Sequence, residues 1–292
     1  MLSKEPFSVQ CSDGVVLKGV LLIPKKPKAV VQFNGGTGAR KEFYQPFLEY
    51  LSEHGYACCL WDYRGNGEST PANLANCDYS FSDYGTKDMP AIKEYLRERF
   101  TGLPIFLFTH SAGGQQVGLI PNLDGYQGMV AFAVSTGYFR YMPLGYRLKT
   151  MYFFYLFSPI SILLKGYVVA KRFRIMEDLP RKVFLEWSAW CGKKDYLFDS
   201  KFYGKSIPKG QYQQMPFPIH VIWTIDDPIA NERSVTTFWS HVKSVKGITF
   251  DQLTPNALGL KTIGHFGFFN KKMKTILWDK GLNKLNEFLK ED

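Results

Sequence analysis

Features that mark secreted, membrane-spanning and metal-dependent proteins are scarce in this sequence. Five cysteines are scattered along 292 residues, and the only close spacing is the adjacent pair Cys58-Cys59. Neighbours on a strand point to opposite faces, so this pair suits neither a metal nor a relaxed disulfide. Free thiols in a reducing cytoplasm are the expected state. The opening Met1-Leu2-Ser3-Lys4-Glu5-Pro6 has no apolar core behind a basic flank, so no secretory signal is expected and the chain is read as cytoplasmic. No His-Glu-x-x-His run or cluster of His, Cys and carboxylates offers a metal site, and no cofactor is expected. The most apolar run, residues 151–164, is interrupted by Pro159 and ended by Lys165-Gly166. A bilayer span needs about 20 apolar residues, so this run is too short and too broken. Repeats and low-complexity linkers are absent.

What is present is ample core-forming material: 45% hydrophobic and 16% aromatic residues. Short β-rich runs at residues 7–11 and 15–23 flank Ser12-Asp13-Gly14, a hairpin signal. Apolar runs at 29–33, 56–61, 104–108, 128–136, 219–224 and 248–253 read as further strands. Helices are expected between them, among them one that places Phe43, Phe47, Leu48 and Leu51 on its buried face and stops at Gly55. Others are expected at 84–100, starting at Gln115-Gln116-Val117-Gly118-Leu119-Ile120, and at 273–289 to close the chain. This alternation predicts an α/β fold, a mainly parallel central sheet with helices on both faces.

Residues 137–215 break the alternation with an aromatic, basic stretch of helical character. They are read as an inserted cap over a core formed by 1–136 and 216–292. The net charge of +10 is concentrated in that stretch, where residues 138–215 hold 14 Lys and Arg against 5 Asp and Glu. Such an excess is a solvated surface, a guide for an anionic substrate, or a contact for an anionic membrane face. Peripheral membrane contact is the lesser of these readings. Nucleic acid is not expected as a partner, because no recognition motif accompanies the charge.

Three short stretches carry the chemistry: Thr109-His110-Ser111-Ala112-Gly113, Asp226-Asp227-Pro228 and Gly264-His265-Phe266. Ser111 follows an apolar strand and precedes a helix, the context in which a sharp turn lifts a hydroxyl above a sheet. A serine hydroxyl needs a base, and the base needs an orienting carboxylate. His265 is the natural base, because it lies in a glycine-flanked loop after the last strand. His54 and His241 fall on predicted helices, His220 lies within a strand, and His110 abuts the nucleophile. Asp227, beside Pro228, is preferred to Asp226 as the acid, with Asp226 read as a turn or capping residue. Oxyanion stabilisation calls for backbone donors. The amide of Ala112 is one, and the loop after the third strand supplies the other, from Gly36 with Thr37 as its neighbour. The competing dinucleotide reading of Gly36-Thr37-Gly38 with Asp62 lacks its third glycine, since Lys41 stands there.

These motifs, with Asn34-Gly35-Gly36-Thr37-Gly38 and Asp62-Tyr63-Arg64-Gly65-Asn66-Gly67-Glu68-Ser69, resemble the α/β-hydrolase superfamily. Within it the chain is similar to the serine aminopeptidase and monoacylglycerol-lipase-like branch, close to a group of bacterial predicted hydrolases of unassigned substrate. The resemblance implies Ser111 as nucleophile, His265 as base, Asp227 as orienting acid, and Ala112 and Gly36 at the oxyanion positions. It makes the 62–69 stretch a structural turn, with Arg64 a scaffold residue. Asn34, where many members have His, and Thr109, where Gly is usual, depart from the pattern. The expected function is hydrolysis of a carboxylic ester or thioester through an acyl-enzyme on Ser111. The aromatic cap suggests a small-molecule substrate with an apolar acyl or aryl group, and the basic surface an anionic one. The alternatives are an acyltransferase using the same three residues and a non-catalytic lipid- or membrane-surface binder.

Overall fold

The computed structural model describes residues 2–290. Its centre is an eight-stranded sheet in the order β1-β2-β4-β3-β5-β6-β9-β10. The strands are β1 (Ser3–Gln10), β2 (Val16–Ile23), β3 (Ala29–Asn34), β4 (Tyr56–Trp61), β5 (Ile105–His110), β6 (Tyr126–Phe132), β9 (Ile219–Thr224) and β10 (Ile248–Leu253). A separate two-residue pairing joins β7 (Tyr167–Val168) to β8 (Leu179–Pro180). From β4 to β10 neighbouring strands run parallel, whereas β1–β2 and β2–β4 are antiparallel.

Sequence pattern explains this layout. Every residue of β3, β4, β5 and β9 is buried, as parallel strands covered on both faces must be. The edge strands β1 and β10 are instead exposed or half-buried except at Leu253. Helices α1 (Lys41–Glu53), α2 (Met89–Arg99), α3 (Ala112–Gln115), α7 (Glu232–Trp239) and α8 (Asp279–Phe288) accompany the sheet. Between β6 and β9 lie α4 (Leu144–Tyr152), α5 (Ser158–Lys165) and α6 (Arg181–Cys191). A π turn, Phe153–Phe157, joins α4 to α5 in one continuous helical run.

Several expectations shift in detail. The strand expected over 128–136 ends at Phe132, because Ala133 turns the chain to φ 50°. The helix start read at 115–120 comes earlier: α3 begins directly after Ser111 and is followed by a 3₁₀ turn, Val117–Leu119. Gly118 there lies against the Tyr212 ring and leaves no room for a side chain. On α1, Tyr44 takes the core position expected of Phe43, which is left 41% exposed. The closing helix of the chain starts with a π turn, Lys274–Trp278, and becomes α-helical only at Asp279. In the inserted stretch the α-helices end at Cys191; the residues that follow bend back, and Tyr212 Oη donates to the Gln115 carbonyl at 2.8 Å.

The 62–69 turn is held by buried charge. Lys41 Nζ reaches Asp62 at 2.9 Å and Glu68 at 2.6 Å. Arg64 is fully buried, with Nε on Asp88 at 2.6 Å and a second nitrogen on Asp13 at 2.7 Å. It therefore ties the β1–β2 hairpin to the residue that caps α2, away from the cavity beside Ser111. Removing one partner of such a pair strands the other charge. Arg64→Ala is expected to lower unfolding free energy by about 3–5 kcal/mol, read as a large fall in the urea midpoint. A shift of a few tenths would show that Asp88 finds another partner.

Candidate active site

Ser111 sits at the tip of the turn between β5 and α3 with φ 50° and ψ −121°, strained values for a residue with a Cβ. The turn closes because Gly113 passes directly under the Asn34–Gly35 backbone, where any Cβ would run into the Asn34 carbonyl. Close packing at Gly114, against Val134 and Thr109, fixes the other side. The residue at 109 can be threonine because its side chain is buried beneath the turn, although its hydroxyl finds no partner there.

The three stretches singled out in the sequence meet at this turn. His265 Nε2 lies 3.0 Å from Ser111 Oγ, and His265 Nδ1 lies 2.7 Å from Asp227 Oδ2. Asp227 is 2% exposed, and its second oxygen accepts the amides of Ile229 and Ala230 at 2.7 and 2.9 Å. A carboxylate accepts only, so the imidazole proton belongs on Nδ1, which leaves Nε2 free to accept from the serine hydroxyl.

Asp226 does more than the turn role expected of it. It accepts hydrogen bonds from the Thr224 and Thr262 hydroxyls at 2.6 and 2.7 Å, and from the amides of Ile263 and Gly264 at 2.8 and 3.2 Å. Burial pushes its pKa up, but these bonds outweigh burial and hold the carboxyl below its usual range. The two adjacent acids thus have separate roles. Asp227 orients the imidazole, and Asp226 clamps the loop that carries it.

A second network was not read from the sequence. His110, fully buried, places Nε2 2.9 Å from the His265 carbonyl and Nδ1 2.8 Å from Tyr44 Oη. Burial, with a smaller push from the neighbouring His265 ring, holds its pKa well below the histidine range, so the ring is neutral. Its one proton must be on Nε2, because a carbonyl only accepts. Tyr44 therefore donates to Nδ1, and Tyr44 Oη accepts the Gly36 amide at 2.9 Å. The expected oxyanion role of Gly36 is corrected here: its N–H is already engaged. Among the described residues no acceptor is found for the amides of Thr37 and Ala112, and both residues line the cavity beside Ser111.

That cavity has a volume of about 520 Å³. Its floor is Thr37, Ser111 and His265; its walls include Phe139, Phe153, Phe154 and Trp187 from the inserted stretch. Lys149 is the one cationic side chain among the described lining residues, and no carboxylate is found among them. No group of His, Cys, Asp and Glu suited to a metal ion occurs among the described residues.

Comparison with known proteins agrees with this architecture. A family model described as serine aminopeptidase, S33, matches residues 25–154. No curated protein matches the chain in sequence. Among solved structures, an esterase from Pyrococcus furiosus is similar at 16% identity and TM-score 0.62, covering 99% of this chain and 91% of that one. DcsB, solved in complex with its substrate analogue, is similar at 13% identity and TM-score 0.64, with 99% of both chains covered. A thermostable carboxyl esterase from Bacillus coagulans, in complex with glycerol, is similar at 15% identity and TM-score 0.56, covering 99% and 100%. At these identities the likeness is one of fold.

The Asp226 clamp makes a prediction. A carboxyl whose pKa is depressed by folding adds stability that is full above the ordinary carboxylate range and is lost as pH falls through its lowered folded value. Asp226→Asn should therefore flatten the acid side of the stability–pH curve and lower stability at neutral pH. An unchanged acid limb would remove the clamp from the account. The neutral relay makes another: Tyr44→Phe strands the Gly36 amide and His110 Nδ1, and should cost about 1–3 kcal/mol of unfolding free energy.

Proposed function

We propose that this chain, an α/β hydrolase by its fold, cleaves carboxylic esters through an acyl-enzyme on Ser111. The observation that carries the reading is the aligned pair of hydrogen bonds linking Asp227 to His265 and His265 to Ser111, at 2.7 and 3.0 Å. His265 takes the serine proton as Oγ attacks the carbonyl, and Asp227 stabilises the imidazolium that forms. The negative charge on the carbonyl oxygen is received by the free amides of Ala112 and Thr37, each such donor being worth about 10²–10³ in rate. The leaving alcohol takes the proton back from His265. Water then repeats the sequence and releases the acid.

The cavity supports a substrate class. Its aromatic walls favour an apolar acyl or aryl group, and residues 137–215 act as the cap that excludes water. Lys149 at the wall, unopposed by any carboxylate among the described lining residues, admits an anionic group on the substrate. A thioester fits the same geometry. Transfer of the acyl group to an acceptor other than water needs no change in the first half of the reaction. Two unengaged amides beside an aligned Ser–His–Asp set favour turnover over a silent binding role.

The test is a series of p-nitrophenyl esters of increasing acyl length. kcat/KM should rise about fourfold per added methylene until the cavity is filled, the worth of burying one CH₂. Asp227→Asn should lower kcat by about 10⁴ and Ser111→Ala by more. Turnover by Ser111→Ala at the rate of the unmodified chain would refute the reading.

A further inference from the structure

The helical run from α4 through α5 is apolar both inward and toward water. Its inward side is aromatic: Phe153 and Phe154 are buried against Phe184 of α6, and Phe154 meets Trp187 at a ring separation of 4.7 Å. The side facing water is also apolar. Leu144, Leu148, Tyr152, Leu156, Ile160 and Leu163 follow one another at helical spacing, and all are exposed. Leu163 is 84% exposed and its neighbour Leu164 72%. The 3₁₀ turn Lys171–Phe173 adds exposed Phe173, which packs edge-on against Phe157. A continuous apolar stripe of this length on a water-facing surface is expected to have a partner.

Charge identifies the partner. Residues 138–176 contain seven Lys and Arg and no Asp or Glu. Lys165 closes α5 at the end of the stripe, and Arg172 lies in the turn that Phe173 anchors; both are exposed. A second copy of the chain docking by this face would bring two cationic stripes together, since a two-fold interface apposes identical patches. An acidic protein groove would match the charge but not the leucines. An anionic lipid surface matches both, with headgroups for the cations and acyl chains for the apolar side chains. Among the described residues no helix is long and apolar enough to cross a membrane, so the contact would lie in the interface.

We propose that the α4–α5 face docks onto an anionic lipid bilayer. The same α4 helix lines the cavity through Tyr146, Lys149 and Thr150. Docking therefore sets the cavity wall against the lipid surface, from which apolar substrates would be drawn. The docking itself stands apart from the catalytic reading and is tested without it.

The experiment is flotation of the pure full-length chain with vesicles of phosphatidylcholine, with and without phosphatidylglycerol, at low and high salt. Binding should be at least about tenfold stronger to the anionic vesicles and should fall with salt, as expected for a cluster of basic residues at a charged surface. Leu163→Glu/Leu164→Glu and Lys165→Glu/Arg172→Glu should each reduce it by about tenfold or more, while circular dichroism and hydrolysis of a small soluble ester stay unchanged. Equal binding to neutral and anionic vesicles, or unaltered binding by either double variant, would overturn the proposal. So would a dimer by light scattering that Leu163→Glu/Leu164→Glu converts to monomer, because the stripe would then belong to a second copy. Loss of ester hydrolysis in Ser111→Ala with vesicle binding intact leaves the docking standing, which keeps the two readings separable.

Discussion

A one-way chain of hydrogen bonds joins the loops around Ser111: the Gly36 amide to Tyr44, Tyr44 to His110, and His110 to the His265 carbonyl. Each link is buried, so each unmet group would cost about 1–3 kcal/mol. The chain runs in only one direction because His110 is neutral. A protonated ring would offer Tyr44 a donor where the phenol needs an acceptor. Through this chain the loop after β3, helix α1, the end of β5 and the histidine loop share one geometry. The 3.0 Å approach of His265 to Ser111 depends on that shared geometry.

Backbone strain is concentrated at the same place. Ser111 holds a positive φ that costs free energy, and the compensation is packing: Gly113 under the β3 loop and Gly114 against Val134. Asp226 fixes the opposing loop through three donors, the Thr262 hydroxyl and the Ile263 and Gly264 amides. Ser111 and His265 are thus each over-determined by the scaffold, and helices α4–α6 are left to shape the apolar cavity and the outward stripe.

Much of this was legible in the chain. Short, largely apolar runs such as those of β3 and β5 read as covered parallel strands, and Ser111, Asp227 and His265 stood out because each lies in a loop or turn beyond such a run. Finer points were hidden where tertiary contacts overrule local pattern. Tyr44 and Phe43 are neighbours with similar helix propensity; Tyr44 stands at i, i+3, i+4, i+7 spacing with Phe47, Leu48 and Leu51 and turns inward, where it meets His110. Gly36 looks like a free donor until Tyr44 occupies it, which leaves the Thr37 amide beside it unengaged. His110 carries no sequence signal beyond its place before the serine. Asp226 could not be told from a turn residue without seeing which amides point at it. The outward stripe on α4–α5 was visible only as hydrophobicity, because the side that faces water depends on α6 behind it.

The central claim is that Ser111 is an activated nucleophile. Covalent labelling with a fluorophosphonate probe, read by intact mass and peptide mapping, tests it most directly. A single adduct on Ser111, absent from Ser111→Ala and strongly slowed in His265→Ala, is the expected result. A folded protein that takes no label, or that takes it on another residue, would contradict the account.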